Sequence, residues 1–293
     1  MMKISIFHII TALLLLLSQI FGGADGDTVN IDRSLSTHTL GSAQELEGRI
    51  LVVSVFADDM YTSWDFEGTE ADYELYCDIY SYLGTAADWI TESGKKYGKD
   101  IELIWDWTEN EDLFYYAAFG CDFPASIETG ESEYYSWTFI DDNIDSDALL
   151  EKYAADSIVY MMYFDTPPEN EVSTCTRNYY EGMEYPYEVC YMFMQDNGYG
   201  LCPAIFAHEM LHTFGAPDLY CADPQFGISE EYAEYAEQTQ LNDIMRICGD
   251  PATGEMRYDS IINEVTDITA YYIGWTESSR TVKRWKMGKS EHV

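Results

Sequence analysis

His208 and His212 lie four residues apart in the stretch Ala207-His208-Glu209-Met210-Leu211-His212-Thr213-Phe214-Gly215-Ala216-Pro217-Asp218. On a helix this spacing puts both imidazoles on one face, one turn apart. Two imidazoles so placed reach a single zinc ion at about 2.0–2.1 Å. Glu209, beside the first of them, is placed to take a proton from a water at the metal rather than to bind the metal itself. Gly215 tolerates a left-handed helix stop and Pro217 cannot continue the helix. The chain therefore turns, and Asp218 can swing back as a third ligand. Three protein ligands and one open position define a catalytic rather than a structural zinc site. The plainer alternative is a core helix with satisfied polar groups. Phe206, Met210 and Phe214 form one apolar stripe, and Ala207 and Leu211 a second. A helix so buried leaves its histidines and glutamate in need of partners, and a metal supplies one.

The string H-E-x-x-H-x-x-G-x-x-D resembles the motif of the metzincin zinc peptidases, in the variant where aspartate replaces the third histidine. Immune-inhibitor-A-type and snapalysin-type secreted peptidases carry that variant, and Gly215-Ala216-Pro217-Asp218-Leu219-Tyr220 is close to the first of these. The resemblance implies zinc held by His208, His212 and Asp218, Glu209 as general base, and hydrolysis of peptide bonds. It also implies an α/β (α+β) fold. In that fold a mixed twisted sheet carries long helices, the zinc helix lies at the cleft, and a small C-terminal subdomain holds a methionine turn and a closing helix. Asn242-Asp243-Ile244-Met245 falls where the turn is expected, with Met245 beneath the metal. Several metzincins place a tyrosine two residues after that methionine; here the position is Ile247, and its role is unassigned.

The elements that must position these residues show in the apolar pattern. Ile50 to Phe56 is an apolar, β-branched run and reads as a buried strand. Asp72 to about Lys95 reads as a long helix with Leu75, Ile79, Leu83, Ala86 and Ile90 near helical spacing, ended at Gly98. Ile101 to Trp105 and Ser157 to Phe164 read as further strands, the second preceded by a helix around 148–155. Tyr187 to Met194 alternates with period two, which suits a half-exposed edge strand. In the resembling family such a strand binds extended substrate by strand addition. Pro203 to Phe214 is the zinc helix. Glu230 to Glu237 reads as an acidic helix, and Ile261 to Trp275 as an amphipathic helix ended by Gly274. Strand–helix–strand order before the catalytic helix argues for an α/β layer with a mixed sheet.

Composition bounds the partners. The 293 residues carry 15 Lys+Arg against 53 Asp+Glu, a net charge of −38. Such a surface repels nucleic acid and anionic membranes. Hydrophobic residues at 47% and aromatics at 15% suffice for a full core. Lys3, the apolar run Ile9 to Leu17, and Gly22 and Ala24 before Asp25 read as a secretory signal peptide over residues 1–24, with an uncleaved anchor as the alternative. No later segment is long and apolar enough to span a bilayer. Residues 25–48 read as a flexible lead or short prosegment, 49–279 as the catalytic domain, and 280–293 as a basic tail. A secreted monomer acting on protein or peptide is the expectation.

Cys77, Cys121, Cys175, Cys190, Cys202, Cys221 and Cys248 suggest up to three disulfides and a leftover thiol in such a protein. The run Asp141, Asp142, Asn143, Asp145, Asp147 offers oxygen ligands for Ca2+ but lacks the glycine and closing glutamate of an EF-hand loop. Asp145 or Ser146 as the N-cap of the next helix is the simpler reading. Two other classes use the same site residues: a secreted metal-dependent hydrolase of a non-peptide substrate, and a binding or adhesion protein on a peptidase-like fold. Intact Glu209 argues against the second.

Overall fold

The computed structural model describes residues 41–176, 187–196, 199–223 and 227–286. The expected signal peptide and the end of the basic tail lie outside them, as does most of the lead. The described chain is a mixed α/β protein with eight helices and one principal sheet. The strands are β1 (Gly48–Asp58), β2 (Ile101–Ile104), β3 (Phe114–Ala118), β4 (Ser157–Phe164), β5 (Cys175–Thr176) and β6 (Val189–Phe193). They run in the order β2-β1-β4-β6-β5, with β3 also pairing β1. All pairings are parallel except β5 with β6. A parallel sheet is buried on both faces, so its central strands are apolar throughout. Eight consecutive residues of β1, Ile50 to Ala57, are buried, as are seven of the eight in β4.

Helices cover both faces. The long α1 (Glu70–Lys96) buries Ile79, Leu83, Ala86, Ala87 and Ile90 and lies against α5 (Pro203–His212), the helix with the two histidines. Its first turn is acidic and its last turn carries Lys95 and Lys96, which suits the helix dipole at both ends. On the other side are α2 (Phe123–Thr129), α3 (Ser132–Asn143) and α4 (Ser146–Tyr153). The Phe123 ring stacks on Phe164, and the Ser136 hydroxyl shares a 2.8 Å hydrogen bond with Tyr191. Asp145 is the N-cap of α4, its Oδ1 accepting from the Ala148 N–H at 3.0 Å. The capping reading of the acidic run therefore describes what Asp145 does.

Three expectations change. Tyr187–Met194 is no half-exposed edge. β6 is buried along its length and sits between β4 and β5, so among the described residues β5 is the edge on that side. Both of its faces are packed: Tyr191 against α3, and Cys190 against α5, its thiol donating to the Glu209 carbonyl at 3.4 Å. The period-two alternation of large and small groups here records two packed faces rather than one wet one.

Ile261–Trp275 is not one helix. Only α7 (Asp267–Tyr272) forms, and Glu264 bridges in parallel to Asp243. Buried Asp243 enforces the break. Its carboxylate accepts the N–H of Met245, the N–H and hydroxyl of Thr266, and the Thr269 hydroxyl. That fixes Thr266 as the N-cap and holds the preceding residues extended.

The described part of the lead is packed. The Ala43 N–H donates to the Thr213 carbonyl at 2.9 Å, and the Trp275 indole to the Leu46 carbonyl at 2.8 Å. Gly41 passes so close that a Cβ there would stand 2.1 Å from the Thr213 oxygen. At the other end, Arg280–Trp285 forms α8, whose Trp285 packs on Tyr235 of the acidic α6 (Glu230–Thr239) while Arg280, Lys283, Arg284 and Lys286 stay exposed.

Asp165, just past β4, has its carboxyl pushed up to about 6 by burial and by the charge of Asp72. Its folded pKa lies above the unfolded value near 3.9. Its contribution is therefore fully present below about pH 4 and lost as pH rises through about 6. Asp165→Asn should raise stability by about 1 kcal/mol at pH 7.5, after discounting for partial exposure, and by close to nothing at pH 4. Urea unfolding at both pH values checks this; an equal effect at both would contradict it.

Candidate metal centre

Helix α5 begins at Pro203, where a missing N–H costs nothing, and carries His208, Glu209 and His212, all buried. It ends in a tight turn at Gly215, φ +99°. The Gly215 N–H donates to the His212 carbonyl at 2.8 Å, and the Ala216 N–H to the Leu211 carbonyl at 3.1 Å. The turn reverses the chain and brings Asp218 under the two imidazoles.

Each imidazole is locked by a backbone carbonyl. His208 Nδ1 lies 3.0 Å from the Ile244 oxygen, and His212 Nδ1 lies 2.7 Å from the Ala216 oxygen. A carbonyl only accepts, so each Nδ1 carries a proton and each Nε2 of a neutral ring presents a lone pair. The two Nε2 atoms are 3.1 Å apart. Asp218 Oδ1 is 3.2 Å from Nε2 of His208 and 3.4 Å from Nε2 of His212. Tetrahedral bonds of about 2.0–2.1 Å to one zinc ion set ligand atoms about 3.3 Å apart, so this triangle has the size of a zinc site. Oδ1 is also buried without a hydrogen-bond donor, which in an apolar setting is costly. His208, His212 and Asp218 therefore fit a divalent cation in both geometry and donor chemistry.

Charge tells the same story. Burial presses both imidazoles towards the neutral form. It is more than offset at His208 by the neighbouring Cys248 sulfur and Asp218, and at His212 by the Asp218 carboxylate. Burial likewise opposes the charge of Asp218, yet the imidazoles hold its carboxyl far below the usual range. The pocket draws positive charge to one point, whether a proton or a metal.

Glu209 stands outside this triangle. Its Oε2 accepts from the Thr176 hydroxyl at 2.8 Å. Met245 is fully buried; its carbonyl accepts the Leu219 N–H at 2.9 Å, tying the turn after Asp218 to the turn that carries Met245. Through Ile244 and Met245 that second turn holds both His208 and the segment that carries Asp218. Ile247 makes no polar side-chain contribution.

Tyr220 is the site residue that spacing alone did not single out. Its ring stacks over His208, with centroids 6.4 Å apart and planes 19° apart. It keeps 38% of its surface exposed. Burial of its hydroxyl and the Asp218 charge push the phenol well above its ordinary range, so it is a protonated donor. Its position two residues after Asp218 was the available signal.

No disulfide joins any of the seven cysteines among the described residues, in contrast to the expected bridges. Near the site, Cys202 packs against Met256 Sδ at 3.7 Å and Cys190 donates to the Glu209 carbonyl; both are buried thiols that act as weak donors.

No protein-family model matches the chain, and no curated protein does. Among solved structures, one described as "Structure of a chaperone-substrate complex" aligns at 11% identity with a TM-score of 0.29, over 79% of this chain and 34% of that one. The chain thus spans about a third of that protein's length, and a likeness this low carries no argument. The fold and the site define a mixed α/β protein with a buried His/His/Asp group that could hold a metal ion.

Asp218→Ala removes one of the three donors and should lower zinc affinity by at least about tenfold while the fold survives, since donor number sets affinity in such sites. Zinc stoichiometry after dialysis and circular dichroism check this. Full zinc occupancy in a folded variant would remove Asp218 from the ligand set.

Proposed function

We propose that this protein is a secreted zinc-dependent endopeptidase of metzincin type. The observation that carries the reading is the buried triangle of His208, His212 and Asp218, with a separate carboxylate, Glu209, held beside it. When bound, zinc would lower the pKa of a water to about 7 and polarise the scissile carbonyl.

The chain's own residues do the rest. The Ile244 and Ala216 carbonyls hold the imidazoles in the one tautomer that can coordinate. Glu209 takes a proton from the attacking water and delivers it to the leaving nitrogen as the C–N bond breaks. The Tyr220 hydroxyl, protonated at neutral pH, donates to the oxygen that gains charge during attack. It takes the part that a tyrosine after Met245 would otherwise have played. Met245 supports the site by packing and by its carbonyl. The substrate is protein or peptide, and the net charge of −38 favours basic segments.

The test is cleavage of casein by the secreted chain. Glu209→Gln should lower kcat by about 10²–10⁴-fold and Tyr220→Phe by about 10²-fold, with zinc content unchanged. Chelation should abolish turnover and added zinc restore it. Stoichiometric zinc without cleavage of casein or a peptide library would overturn the peptidase reading. Met245→Leu should lower the unfolding midpoint more than it lowers zinc content, and an equally stable, fully active variant would leave Met245 without a role.

A further inference from the structure

The general base is held from behind by the sheet. Thr176 is the second residue of β5 and stands directly opposite Cys190 of β6. Directly opposed residues of an antiparallel pair point to the same face, and here both point at the same residue of α5. The Thr176 hydroxyl lies 2.8 Å from Glu209 Oε2 and 3.3 Å from the Glu209 carbonyl oxygen. The Cys190 thiol reaches that same carbonyl at 3.4 Å. A hydroxyl has one proton to give, and the shorter contact to a carboxylate oxygen is the stronger bond. Glu209 is itself buried, where a loose carboxylate would have few other donors.

We propose that Thr176 is a positioning residue for Glu209. Its hydroxyl holds Oε2, so that Oε1 is the oxygen left to exchange a proton with water. A carboxylate with both oxygens free could turn about its terminal bond or swing onto the metal as a fourth ligand. Tethering one oxygen removes both options. The inference rests on the peptidase reading for its catalytic meaning, but the bond itself does not. Valine matches threonine in shape and lacks the donor; serine keeps the donor and loses the methyl group.

Two measurements on the full chain test this. The first is steady-state cleavage of a peptide by Thr176→Val and Thr176→Ser. Val should lower kcat between about tenfold and a hundredfold, the cost of a slightly misplaced catalytic group. KM and zinc affinity should stay within about twofold, and Ser should recover most of the loss. The second needs no turnover: urea unfolding of chelated protein for Thr176→Val, Glu209→Ala and the double variant. If the hydroxyl acts through the carboxylate, Thr176→Val should change nothing once Glu209 is Ala, so the double variant should unfold at the midpoint of Glu209→Ala. Additive midpoints would overturn the tether. So would a Val variant with wild-type kcat, or a Ser variant as slow as Val. Coupled midpoints in a wild-type chain that cleaves nothing would overturn the positioning role together with the peptidase reading, and leave the bond standing.

Discussion

Three electron-rich atoms, Nε2 of His208, Nε2 of His212 and Oδ1 of Asp218, are held between 3.1 and 3.4 Å apart in a buried place. Nothing donates to Oδ1 from the protein, and both Nε2 lone pairs point inwards. Close approach of acceptors away from water is unfavourable unless a cation sits among them. Most of the neighbouring structure serves to keep that approach in place.

The holding is done by backbone rather than by long side chains. The carbonyls of Ile244 and Ala216 fix the two rings, and Gly215 permits the reversal that returns Asp218. The Met245 carbonyl anchors the next residue, Leu219. Behind Met245 stands buried Asp243, satisfied by five donor contacts from Met245, Thr266 and Thr269. The sheet holds the opposite side through Thr176 and Cys190. A site braced on both sides by packed elements can keep an electrostatically costly arrangement and save the cost of assembling it when substrate arrives.

The candidate site was legible because its chemistry is local. His208, Glu209, His212, Gly215 and Asp218 fall within eleven residues, where helix period and a glycine stop are enough to bring them together. Buried strands such as Ser157–Phe164 were legible for the same reason, as unbroken apolar runs. What failed to show depended on contacts far along the chain. Thr176 meets Glu209 across 33 residues, and Ile244 meets His208 across 36. The edge character assigned to Tyr187–Met194 was lost because β5 pairs outside β6. The single helix expected over 261–275 was split by Asp243, a residue some twenty positions earlier whose demand for donors no periodicity reveals. Tyr220 was in view but unassigned, since its stacking on His208 appears only once the turn at Gly215 has closed.

The most direct measurement is X-ray absorption at the zinc edge of the metal-loaded chain. The account predicts a four-coordinate first shell of two imidazole nitrogens and oxygens at about 2.0–2.1 Å, with no sulfur. The absence of sulfur is a sharp condition, because Cys248 lies beside His208. A sulfur scatterer at about 2.3 Å, or a chain that retains no zinc, would contradict the proposed centre.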